Sequence, residues 1–145
     1  MKYKFKLEAL LKVRGFKEKT LKIELGKILQ SVGLIEEKIA KAHLDINESY
    51  MAHDKLIGSS IAGRELQFFP FFIEGKNCDI DQCQAELAKL KEQFEQKMAE
   101  VKIARGETKV IENMKDRDFE KCKKEFNKKL NADLEELFIM KKKIS

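Results

Sequence analysis

Two histidines, three cysteines and 25 carboxylates are the side chains through which this 145-residue chain could do chemistry. Their spacing builds none of the usual sites. His43 and His53 have no cysteine or carboxylate cluster beside them to complete a metal shell. Both read as helix residues, His43 on the surface and His53 on a packing seam or near a helix end. Cys78 and Cys83 lack the spacing of a metal-binding pair, and with Cys122 they make an odd number, which fits reduced thiols in a cytosolic compartment. Gly75-Lys76 lacks the preceding glycine and the following Ser/Thr of a phosphate loop. The carboxylates alternate with lysines on solvated faces, where no cleft would perturb them. No catalytic, cofactor-binding or metal residue is assigned, and the chain is expected to be non-enzymatic, with no cofactor.

What the sequence does specify is contact. Leu21, Leu25, Ile28, Val32, Ile35, Ile39, Ala42 and Ile46 recur at alternating spacings of three and four. A repeat near 3.5 residues defines a helix that supercoils against a partner helix. The seam continues through Ser49 and His53. Gly15, Gly26 and Gly33 interrupt at roughly 1 kcal/mol each, a cost that packing between helices can offset.

The pattern breaks at Gly58-Ser59-Ser60-Ile61-Ala62-Gly63, which carries turn chemistry. Phe68-Phe69-Pro70-Phe71-Phe72 follows, and Pro70 is tolerated where it opens a second helix. From about Ile80 a second seam runs through Cys83, Leu87, Leu90, Phe94, Val101, Thr108 and Ile111. It then resumes, after stutters at Met98 and Met114, as Phe119, Phe126, Leu130, Leu134 and Leu137. The fold expected is all-α, a long two-helix antiparallel coiled-coil hairpin forming one domain over residues 1–145. Its helices are expected over about 4–57 and 70–142, with a tip loop over about 58–69. A monomer is expected, and a parallel dimer of one long bent helix is the alternative. If residues near 57 and 70 face each other, partner numbers total about 127. Position 21 then meets 106, position 3 meets about 124, Tyr50 meets 77, and the second helix overhangs by roughly 20 residues.

The ends depart from this single-stripe design. Leu7 and Leu11 fall on the seam with Arg14 and Glu18, whereas Leu10, Val13 and Phe16 fall outside it. Leu137-Phe138-Ile139-Met140 covers every side of a helical turn, and a helix apolar on several sides expects to be surrounded. Insertion into a partner explains this, as would oligomerisation or fraying. Phe68, Phe69, Phe71 and Phe72 cannot all be covered by two helices at a turn, so they either cap the seam or form an exposed docking patch.

Composition bounds the function classes. The chain is 38 % charged, 8 % aromatic and without Trp, a balance that favours long solvated helices over a packed globule. No apolar run reaches the ~18 residues of a membrane span. The N-terminus carries charges within its apolar stretch and no small-residue cleavage site, so it reads as mature protein. Net charge is +5, and residues 1–27 hold nine Lys or Arg against Glu8, Glu18 and Glu24. A basic end attracts nucleic acid, anionic lipid or an acidic protein surface. Acids are interleaved in nearly equal number and the aromatics cluster away from the lysines, so no nucleic-acid partner is expected, although a structural or nucleic-acid-binding coiled coil is a competing reading.

The segment Lys4-Phe5-Lys6-Leu7-Glu8-Ala9-Leu10-Leu11-Lys12-Val13-Arg14 resembles the opening of the FliJ family of flagellar type III export proteins, F-x-L-x-x-L-L-x-x-R. Glu65-Leu66-Gln67 with Phe68, Phe69 and Phe72 resembles that family's mid-chain segment, and Lys128-Lys129-Leu130-Asn131-Ala132-Asp133-Leu134-Glu135-Glu136 its charged tail. The tail lacks the family's Glu-Gln, and a proline inside the phenylalanine cluster is not typical. The resemblance spans nearly the whole chain. It implies a stalk seated in a hexameric export ATPase, which also contacts the cytoplasmic domain of the export gate and export chaperones. Such a protein is cytoplasmic, peripheral to the inner membrane at the flagellar base through its partners. An injectisome counterpart of the same stalk is the alternative. On this reading Leu7, Leu10, Leu11, Val13, Arg14, Phe16, Leu137 and Phe138 are the ATPase-contact candidates. Tyr50, Phe68, Phe69 and Phe72 are the candidates for gate or chaperone contact.

Overall fold

A computed structural model describes residues 2–58 and 63–144. Two long helices dominate: α1 over Glu8–Ile57 and α3 over Phe68–Ile144, with the single turn α2 over Gly63–Leu66 between them. The described residues contain no strand, and the fold is all-α. Ser59 to Ala62, the middle of the Gly/Ser break, lie outside the described residues.

The helix bounds have local causes. Residues 2–5 are not helical; a turn at Lys6-Leu7 then lets the Glu8 N–H donate to the Phe5 carbonyl at 3.3 Å and the Leu11 N–H to that of Leu7 at 2.9 Å. Glu8 also sits where the positive end of the helix dipole favours a carboxylate. At the turn, α3 starts two residues before Pro70 and not at it. The first four N–H groups of a helix have no intrahelical acceptor, so a proline at the third position costs no hydrogen bond. That earlier start shortens the turn and shifts the pairing. Tyr3 meets Asp118, Arg14 meets Glu107, Glu24 meets Lys97 and Asp45 meets Lys76, pairs whose numbers total about 121. The expected total of about 127 is therefore corrected by about six residues. Position 3 lies against Asp118 and Phe119, not residue 124.

The chain divides into two compact units, a terminal unit of Met1–Leu21 with Glu100–Ser145 and a central unit of Lys22–Ala99. In each, the falling partner numbers along α3 show the two helices running antiparallel. The central unit packs the apolar seam the heptads predict. Ala42, Ile46 and Ile80 are buried together, with Ile39 and Ile73 against them. Leu25, Ile28, Val32, Leu87, Leu90 and Phe94 are half-buried along the same stripe. Charged side chains close the seam's edges, Lys97 to Glu24 at 2.9 Å and Lys76 to Asp45 at 3.2 Å.

The terminal unit is built differently. Val101, Ala104 and Ile111 are buried, but so are Glu18, at 6 % exposure, and Thr108. Glu18 lies 3.7 Å from Arg105, which also reaches Glu112 at 3.5 Å, and Arg14 pairs with Glu107. The Thr108 hydroxyl donates back to the Ala104 carbonyl at 3.0 Å, so its burial leaves no unmet donor. Lys115 binds Glu8 at 2.9 Å. Ion pairs and the small residues Ala104 and Thr108 thus share this seam with the branched aliphatics Val101 and Ile111.

Candidate partner-binding surfaces

Because two helices bury only one stripe each, any apolar residue off the seam is left to solvent. On α1 that applies to Leu10, Val13 and Phe16, which are exposed, Phe16 by 73 %. Lys12, Lys17 and Lys19 stand among them, so this face is both apolar and basic. Leu7, Leu11 and Arg14 are half-buried on the seam side, with Arg14 engaged by Glu107. At the other terminus Leu137 and Phe138 are exposed, together with Ile139 and Met140. The Lys142 ammonium lies 5.8 Å from the Phe138 ring centroid. From Lys123 to Ile144 every residue of α3 is exposed.

The amino-terminal residues create a second feature of the terminal unit. Tyr3 lies edge-on to Phe119, ring centroids 5.1 Å apart, and its hydroxyl donates to Asp118 at 2.9 Å. Partial burial of the phenol, then that hydrogen bond and the carboxylate's charge, push the Tyr3 pKa up to about 12. Holding the segment against α3 forms a groove of about 610 Å³, lined by Phe5, Leu7 and Met114 with Lys4, Lys6, Arg117, Asp118 and Lys121 around them. Neither Tyr3 nor Met114 stood out in the sequence. An aromatic five residues before the first helix carries no periodic signal, and Met114 read only as an off-phase seam residue.

In the central unit the phenylalanines split between two surfaces. Phe69 turns toward α1, meeting His53 edge-on at 5.6 Å, and joins Tyr50, Pro70 and Ile73 around a groove of about 460 Å³ rimmed by Glu74 and Asp81. Phe72 faces elsewhere. It stacks on Phe68 at 5.8 Å and lies under Lys76, whose ammonium is 5.5 Å from the ring. Phe68 and Phe71 are exposed. Of the four candidate residues, the ring that Tyr50 joins at the groove is Phe69 and not Phe72. A register change of six residues turns a helix face by about 120°, enough to exchange one ring for another.

These features define a class before they define a family: a pair of long antiparallel helices that offers surfaces, among whose described residues no group of His, Cys, Asp and Glu gathers to hold a metal and no helix is long and apolar enough to cross a membrane. A family model described as Flagellar FliJ protein matches residues 3–141. The chain belongs to the FliJ family of flagellar proteins. Comparison with curated proteins and with solved structures gives no match.

Proposed function

We propose that this protein is a non-enzymatic stalk and adaptor of the flagellar type III export apparatus. The observation that carries the reading is the terminal unit's excess of exposed apolar side chains on several sides, set among lysines. Such a surface suits the inside of a ring whose facing loops are acidic. In this reading one copy of the chain sits in the hexameric export ATPase. Leu10, Val13, Phe16, Leu137 and Phe138 act as anchors, with Lys12, Arg14 and Lys17 toward acidic loops, while Leu7 and Leu11 hold the face in shape from the seam. The central unit's aromatic surfaces, Tyr50 with Phe69 and Phe68 with Phe72, serve the cytoplasmic domain of the export gate or an export chaperone. The protein would then work in the cytoplasm, held at the inner membrane by its partners.

The test is ATP turnover by the purified export ATPase with and without this chain. Leu10→Asp or Phe138→Asp should abolish stimulation while circular dichroism shows helicity intact, since both side chains are exposed. Stimulation that survives both changes rejects the assignment. Tight, steeply salt-dependent binding to duplex or single-stranded nucleic acid, with no effect on the ATPase, would replace it with the nucleic-acid reading.

A further inference from the structure

The carboxy-terminal part of α3 carries an organised apolar stripe, and its organisation is self-complementary. Phe119, Cys122, Phe126, Leu130, Leu134, Leu137, Met140 and Ile144 recur at spacings of three and four. At 100° per residue they fall within a wedge of about 120° on one face. Beyond Cys122 all of these residues are exposed, so the stripe continues where α1 no longer covers it. We infer that this segment pairs with the same segment of a second copy of the chain, as a two-fold antiparallel coiled coil centred between Leu130 and Leu134.

Two properties of the segment select that occupant. Reversing the stripe reproduces it to within a residue: about one centre Leu130 meets Leu134, Phe126 meets Leu137 and Cys122 meets Met140, up to the point where Tyr3 covers Phe119. An isologous contact of this kind repeats every pair across the axis. The residues flanking the stripe agree in charge. Within one to two residues of the same centre Lys129 comes to Asp133 and Glu120 to Lys141, each twice, while Asp118 stays with Tyr3. Glu125 meets Glu136 as a like pair, outnumbered two to one. A parallel arrangement would instead set Lys128-Lys129 and Glu135-Glu136 against themselves, so charge selects the antiparallel one. Ile139 projects away from the stripe and takes no part.

This inference goes beyond the stalk reading and does not rest on it. Leu137 is used by both, so the pair and the ring-bound form exclude each other: the single copy expected from sequence is the form taken up by a partner, and the pair is the form of the chain left alone. The test uses the full-length chain alone. Sedimentation over a concentration series should show a monomer–dimer equilibrium, weakened roughly tenfold or more by Leu130→Asp and left unchanged by Ile139→Asp. Lys129→Glu should weaken it about fivefold, and adding Asp133→Lys should restore it, which loss of helix could not do. In a chain with Cys78→Ser and Cys83→Ser, adding Met140→Cys should give a covalent dimer through Cys122 and position 140 under mild oxidation. A Cys122–Cys122 dimer, a monomer at every concentration, or a stripe buried only by some other protein would each overturn the inference.

Discussion

The central and terminal units are made from the same two helices, yet they solve the packing problem in opposite ways. In the central unit Ile39, Ala42, Ile46, Ile73 and Ile80 meet, and charges stay at the edges. In the terminal unit Glu18 occupies the seam, Arg105 and Arg14 reach across it, and the bulky apolar residues Phe16, Leu137 and Phe138 face outward. A seam of isoleucines stabilises. A seam holding an ion pair fixes register at some cost in stability, because desolvating charge offsets much of the attraction. The terminal unit therefore reads as the half whose surface, more than whose interior, is under design.

The comparison can be broken most directly at Ile80, 5 % exposed in the central cluster. Ile80→Ala should lower unfolding free energy by about 2–3 kcal/mol in a urea titration. A loss below about 1 kcal/mol would mean that the central seam is no tighter than the terminal one. The opposite sign is expected at Glu18. Glu18→Leu removes a buried carboxylate, while Arg105 stays half-exposed beside Glu112, so stability should rise by about 1 kcal/mol. A clear loss would show that the Arg105 contact is net favourable.

A smaller effect separates the units as unfolding blocks. A Cβ added at Gly15 or Gly26 meets nothing within 4 Å, so Gly15→Ala and Gly26→Ala should each stabilise by about 0.5–1 kcal/mol. Equal gains in global unfolding would mean that the two units melt together. A gain at Gly26 alone, in the central unit, would mean that the terminal unit has already opened when the central seam gives way.

The smallest effect is local to Tyr3. Its pKa is raised in the folded state to about 12. The contact with Asp118 therefore contributes fully below the phenol's ordinary value near ~10 and is lost as pH rises through about 12. Phenolate absorbance should show a late step near that pH which Tyr3→Phe removes. Its persistence in the variant would assign the step to another group.

The sequence made the central seam legible because burial there follows apolar residues at heptad spacing, and its one buried polar member among the described residues, Ser49, keeps the spacing and donates to the Asp45 carbonyl. It also placed Leu10, Val13 and Phe16 off the seam, where they are. The register was harder to read. Phe68 and Phe69 were assigned to the loop since a proline follows them, but the free N–H groups of a first turn admit Pro70 without cost. That difference moved the cross-helix partners by about six residues and set Tyr50 beside Phe69. The contacts of Tyr3 with α3 were invisible for a related reason: a side chain in an irregular segment leaves no periodic trace, and its partners lie more than a hundred residues away.

The run of exposed helix from Lys123 to Ile144 also fixes where the chain is vulnerable. Its backbone bonds close only within the helix, and an isolated helical stretch of this length opens its end turns readily. Lys123, Lys124, Lys128 and Lys129 lie in that stretch, each a cleavage site for trypsin. Brief digestion should therefore trim α3 back toward Cys122 long before it reaches the lysines beside the central seam. The rate of that first cut is a clock for the surface itself: whatever covers the stripe, a second copy or a ring, must slow it.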